Sequence, residues 1–176
     1  RNQDLFLLQR DDPNFFRNFH ISDKIGEYKI AITYLNRLKS LANEIESNED
    51  LEIKLFSSIS SIELSMNLRK GAFDEAAKIA LEIEDKLLGF GDKITSTRRA
   101  FMEFKIAVAY IGVGEYNTAL KWVNMILNDS DLDKTEDIIG FTQLLDLLVH
   151  IELNHDKLLP YSLKSTQRFF KTRNRM

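Results

Sequence analysis

The sequence predicts an all-α protein, a superhelical array of antiparallel helix hairpins with about four pairs, and three observations carry that reading. A pattern Gly-x-aromatic-x-x-Ala occurs at Gly26-Glu27-Tyr28-Lys29-Ile30-Ala31, at Gly71-Ala72-Phe73-Asp74-Glu75-Ala76 and at Gly114-Glu115-Tyr116-Asn117-Thr118-Ala119. Gly can end one helix in a left-handed cap, the aromatic packs into the crook of the turn, and a small Ala lets the next helix lie close to the first. Apolar residues around each copy recur at steps of three and four, which is helical spacing. Two Pro and seven Gly in 176 residues leave long Leu/Ile/Lys/Glu-rich runs unbroken, against a strand-rich fold.

The motif glycines lie 45 and then 43 residues apart, and 40 residues beyond Gly114 stands Asn154, a residue that tolerates the left-handed conformation. It marks a fourth, degenerate copy lacking the aromatic and the Ala. Residues 1–12 read as the end of a preceding element or a linker, and residues 13–176 as one helical-repeat domain. The first pair is expected from about Pro13 to Ile25 and from Glu27 to Ile45, with Ile32, Leu35, Leu38, Leu41, Ala42 and Ile45 along its second helix. Ser47-Asn48-Glu49-Asp50 breaks it. Leu51 to Lys70 and Phe73 to Leu88 form the second pair, with Ile79, Ile83 and Leu87 facing inward, and Gly89-Phe90-Gly91-Asp92 is read as a loop. The third pair runs from Ser96 to Val113 and from Glu115 to Leu127. After the Asn128-Asp129-Ser130-Asp131 loop, Asp133-Lys134-Thr135-Glu136 reads as a capping box opening the fourth pair. Its partner helix, from about Asp156, carries Pro160 late for a helix-starting proline.

Ile106, Ala107, Tyr110, Gly114, Tyr116 and Ala119 together resemble the tetratricopeptide repeat, a family of α-solenoids built from helix hairpins. The resemblance extends over roughly Pro13 to Phe170 and is to divergent, long-helix bacterial members. The Gly26 and Gly71 units match on their second halves only, with Leu64 and Asn67 where a small residue and an aromatic are expected. The period exceeds the family's 34 residues, and the usual Pro after the second helix is absent. The resemblance implies an interaction surface on the first helix of each pair. Carried over residue by residue, its groove positions are Ser58, Ser61 and Ser65, then Phe101, Phe104, Lys105 and Val108, then Phe141, Leu144, Leu145 and Leu148. The Lys, Asn and Arg clamp with which some members hold a terminal carboxylate is mostly missing here. An alternative role for Phe101, Phe104, Phe141 and Leu144 is to seal neighbouring units together.

Absence of Cys excludes disulfides and thiolate metal sites and fits a cytoplasmic protein. No uncharged apolar run reaches the roughly 20 residues of a membrane span. The chain opens on Arg1 and is read as a piece of a longer protein. Lys157, Lys164, Arg168, Lys171, Arg173 and Arg175 face no acid within residues 157–176, so against a net charge of −3 that segment carries +6 and the rest −9.

No residue set has the form of a catalytic site. Asp129, Asp131 and Asp133 alternate like the start of a calcium loop, but Lys134 occupies the Gly position and Gly140 that of the bidentate Glu, so a solvated acidic loop is expected. His20, His150 and His155 include no i, i+4 pair that would put two imidazoles on one helical face, and each is expected at the surface or half-buried. Gly112-Val113-Gly114 is read as a turn. Ser57, Ser58, Ser60, Ser61 and Ser65 are expected to pack between helices. No cofactor and no metal are expected.

Two surfaces remain for function. One is the apolar face of Phe101, Phe104, Lys105, Val108, Phe141, Leu144 and Leu148, which suits a protein or peptide partner or a second copy of the chain. The other is the basic face of Lys164, Arg168, Lys171 and Arg175, interleaved with Phe169 and Phe170, which would serve a nucleic-acid-associated regulator. The first is the favoured reading, a non-catalytic scaffold.

Overall fold

The computed structural model describes residues 28–44, 48–132 and 137–173. They form α1 (Tyr28–Glu44), α2 (Glu49–Arg69), α3 (Phe73–Phe90), a 3-10 turn (Gly91–Lys93), α4 (Ser96–Gly112), α5 (Tyr116–Asn128), α6 (Asp137–Glu152) and α7 (Leu159–Arg173), with no strand among the described residues. The expected first helix, Pro13 to Ile25, and the capping box at Asp133–Glu136 lie outside the described residues.

Three helix ends share one hydrogen-bond pattern. Gly71 has φ 70°, Gly114 φ 79° and Asn154 φ 54°. The amide of each donates three residues back, to Leu68, Ile111 and Ile151, and the next amide donates five residues back, to Asn67, Tyr110 and His150. This left-handed cap satisfies carbonyls that a helix end otherwise leaves open, and a Cβ in that conformation costs about 1–2 kcal/mol. Asn154 therefore closes α6 as the glycines close α2 and α4. The short turns pair α2 with α3, α4 with α5 and α6 with α7. Each helix packs on the next in sequence, and the first helices of successive pairs also touch, α2 on α4 and α4 on α6.

The motif alanines Ala31, Ala76 and Ala119 are all fully buried. Two of the motif aromatics reach beyond their own turn to the next pair. Phe73 lies against Gly112 at the end of the next pair's first helix. Tyr116 faces Glu152 at the matching end of α6, and desolvation followed by the Glu152 charge raises its phenol pKa. Phe73 and Tyr116 thus join one pair to the next. A single apolar core runs through α2 to α6, with Leu64, Leu87, Met102, Ile106, Trp122, Val123 and Val149 at its heart. Burying a side chain of that size contributes about 1.5–3 kcal/mol. Smaller clusters close each flank, Ala31, Leu35, Leu38, Leu51 and Leu55 at the α1 side and Ala100, Ile126, Leu132 and Ile138 at the α6 side.

Several boundaries differ from expectation for local reasons. The second helix starts at Glu49, because the Asn48 side chain accepts from the Leu51 amide at 3.1 Å and caps it. Gly89 and Phe90 remain helical, since Phe90 packs on Phe56 at 5.3 Å between ring centroids. Gly112 is the last residue of α4, not part of the turn. The final helix begins at Leu159, which brings Pro160 into its first turn, where its missing amide hydrogen has no partner to lose. Of the expected α1 stripe, Leu35 and Leu38 are buried, whereas Ile32 and Ala42 are exposed; Ala31 takes the inner place.

Candidate functional site

Helices α4 and α6 each bury most of their circumference, α4 among α2, α3, α5 and α6, and α6 among α4, α5 and α7. The side left over is apolar. On α6, Phe141, Leu144, Leu148 and Ile151 follow one another at steps of three and four and are 56%, 47%, 41% and 59% exposed. On α4, Phe101 is 43% exposed, with Phe104 and Val108 half-buried beside it. The two stripes meet where the rings of Phe104 and Phe141 lie 6.5 Å apart in a tilted contact. Phe104 also packs against the core cluster of Ala100, Ile126 and Ile138, so of the four residues that could seal units together Phe104, with Phe141 against its ring, is partly used that way.

Toward α2 the surface turns polar. The Lys105 ammonium donates to the Ser61 carbonyl oxygen at 3.2 Å and to the Ser61 hydroxyl, so it is tied to the preceding pair. Ser61 and Ser65 are half-buried, while Ser58 is buried with Ser57 and Ser60 and does not belong to the open face. Of the expected positions, Ser58 is buried and Leu145 packs against the central core, while the others lie on this side, and Ile151, absent from the expectation, continues the exposed stripe by a turn. The signal for Ile151 was present, three residues beyond Leu148 in the same stripe.

The basic face is also present. Lys164, Arg168 and Lys171 are exposed on α7; Arg175 lies outside the described residues. Of the interleaved rings Phe170 is 38% exposed, whereas Phe169 is not a free platform. Phe169 is half-buried, packs into the α6 core cluster and meets Phe170 edge-on at 5.4 Å.

Three ionisable groupings lie inside the bundle. Glu103 is 2% exposed on α4, and burial, opposed by Arg99 at 3.9 Å, pushes its carboxyl up to about 7. Asp129, expected in a solvated loop, instead holds Arg99 at 2.7 Å and accepts from the Asp131 amide; those contacts outweigh desolvation and keep its carboxyl below the usual range. The Tyr110 hydroxyl donates to the Glu84 carboxylate on α3. His150, expected at the surface or half-buried, is 8% exposed, with Nε2 at 3.4 Å from Asp146 and Nδ1 at 2.9 Å from Nδ1 of His155. The left-handed cap at Asn154 folds His155 back over His150, an i, i+5 meeting that plain helical spacing does not show. No group of three or more His, Cys, Asp and Glu that could hold a metal occurs among the described residues, and no described helix is long and apolar enough to cross a membrane.

Comparison of the chain with protein-family models, with curated proteins and with solved structures finds no match.

Proposed function

We propose that the chain is a non-catalytic scaffold, arranged as a tetratricopeptide-like superhelix, that binds the apolar side of a partner protein or peptide across the outer stripes of α4 and α6. The observation that carries this reading is the run of Phe141, Leu144, Leu148 and Ile151, every one of them 41% or more exposed on a single helix. Contiguous apolar surface of this kind is costly to leave in water and marks a contact site. Its spacing suits an amphipathic helix laid along the groove, or a second copy of the same stripe. Lys105, held by Ser61, and half-buried Ser65 form a polar border that would fix register.

A photo-crosslinking residue placed at Leu148, and separately at exposed Leu81 on α3 as control, tests this in cells producing the full protein. A partner, or the chain itself, should be captured from position 148 and not from position 81. Capture from neither, with crosslinks instead arising from a probe at Arg168 and lost steeply as salt rises, would favour the rival reading, a nucleic-acid-associated regulator working through the basic face of α7.

A further inference from the structure

A cleft of about 500 Å³ opens between α5, α6 and α7, on another side of α6 from the apolar stripe. Its α6 wall presents Gln143, Asp146 and His150 at steps of three and four. Gln143 Oε1 is buried and accepts no hydrogen bond, the one such side-chain atom among the described residues. Asp146 and His150 are each 8% exposed, and their mutual contact of 3.4 Å is long for a charge-assisted hydrogen bond. A buried acceptor without a donor is uncommon in a folded protein and points to a group that supplies one.

The remaining walls narrow the chemistry of that group. Leu127, Ile139 and Phe169 provide an apolar floor, and Ser165 on α7 adds a hydroxyl. Two carboxylates, Asp129 and Asp146, line the cleft, and no Lys or Arg does. Asp129 is already engaged by Arg99, so Asp146, which faces only His150 at 3.4 Å, is the carboxylate left to a ligand beside Gln143 Oε1, while Asn124, Asn128, Tyr161, Ser162 and Thr166 add neutral polar groups to the walls. An anion would find no Lys or Arg there, only the His150 imidazole already turned to Asp146, and a neutral polyol would bring no charge to that carboxylate. A protonated primary amine has three N–H donors, matches Gln143, Asp146 and a hydroxyl, and can lay its methylenes on the floor.

We propose that this cleft binds an alkylammonium group, supplied by a small free amine or by a lysine side chain of a partner. The assignment stands apart from the docking stripe and does not depend on it. The probes are 1,5-diaminopentane and Nα-acetyl-lysine methylamide, with 1,5-pentanediol as neutral control at matched ionic strength, read by calorimetry and by the thermal midpoint of the full chain. The diamine, the lysine derivative or both should bind and raise the midpoint, the diamine alone indicating a free amine and the lysine derivative a protein side chain. Gln143→Met should weaken binding at least tenfold without lowering the midpoint of the free protein, because the carbonyl it removes has no partner to lose. Asp146→Asn should do the same to affinity. Binding of neither amine, equal binding of the diol, or undiminished binding by Gln143→Met would each overturn the proposal, and Gln143→Met decides it even if Asp146→Asn does not fold.

Discussion

Phe73 lies so close to Gly112 that a Cβ added to the glycine would stand 2.2 Å from two atoms of the ring and 2.7 Å from the Phe73 Cβ. The ring cannot yield by a rotamer change alone, because its own Cβ is part of the clash. Elsewhere in a helix, Gly→Ala gains about 0.5–1 kcal/mol. Here the overpacking cost of about 1–3 kcal/mol opposes that gain, so Gly112→Ala should be net destabilising. Urea denaturation should show a lowered midpoint for Gly112→Ala, partly restored in a Gly112→Ala, Phe73→Leu double variant; an unchanged midpoint would mean the two pairs are not in contact there.

That contact also shows where the sequence stopped being informative. Gly71, Gly114 and Asn154 were legible because a left-handed cap is a local demand that a single residue type satisfies. Ala31, Ala76 and Ala119 were legible for a similar reason, as small residues at a fixed offset from the cap. Gly112 stands two residues from a motif glycine, so locally it reads as more turn; its use is set by a side chain 39 positions earlier. The apolar positions on α4 and α6 came from the resemblance, and neither it nor helical periodicity tells whether an apolar face is core or surface. Burial decides that, and it depends on what packs alongside. The His150 and His155 meeting is hidden because spacing rules for a straight helix do not hold across its cap. Glu103 is the hardest case, a carboxylate in a charge-rich helix that only the tertiary packing buries.

The glycine and asparagine caps make opposite predictions. Gly114→Ala places a Cβ in the left-handed region and should cost about 1–2 kcal/mol. Asn154→Gly removes a Cβ from the same conformation and should be neutral or stabilising by up to about 1 kcal/mol. Paired chemical denaturation curves check both, and destabilisation by Asn154→Gly would mean that its side chain, not its backbone, holds the turn.

Ala119 is fully buried in α5 within the central core cluster. Ala119→Leu adds three carbons to a site without room and should cost about 1–3 kcal/mol. Ala119→Gly should also destabilise, through lost burial and helix propensity, so the site tolerates neither direction. A thermal midpoint unmoved by the Leu variant would place Ala119 outside the packed interior.

Glu103 predicts the sign of a pH dependence. Its folded-state pKa of about 7 exceeds the reference value of 4.5, so between those values the unfolded chain has released a proton that the native state keeps. Fewer protons on the unfolded state mean that stability falls as pH rises through that window and levels off above it. A shift of this size corresponds to a loss on the order of 3 kcal/mol. Glu103→Gln should flatten the slope between about pH 4.5 and 7 and make the protein more stable than the wild type above it. The same slope in wild type and Glu103→Gln would assign the titration to another group.

Measuring association and stability side by side separates binding from folding on the apolar stripe of α6. Leu144 and Leu148 are 47% and 41% exposed, so Leu144→Ser and Leu148→Ser each give up the burial of about half a side chain and should cost about 1 kcal/mol of stability. If the stripe is the contact surface, the same changes remove buried apolar area from the complex and should each weaken association by about 1–2 kcal/mol, roughly five- to thirtyfold in dissociation constant. Phe104 cannot serve in this way, because it is half-buried against Ala100 and Ile138 and its loss would disturb the fold. Lys105→Glu is equally ambiguous, since reversal would break the tie to Ser61 as well as any partner contact. The measurement is the concentration dependence of association with the captured partner, or of self-association by sedimentation, alongside the denaturation midpoint of each variant. Unaltered association in the Leu144→Ser, Leu148→Ser double variant, measured well below its denaturation midpoint, would remove this face as the working surface. Loss of binding on reversing Arg168 and Lys171 would then place it on α7.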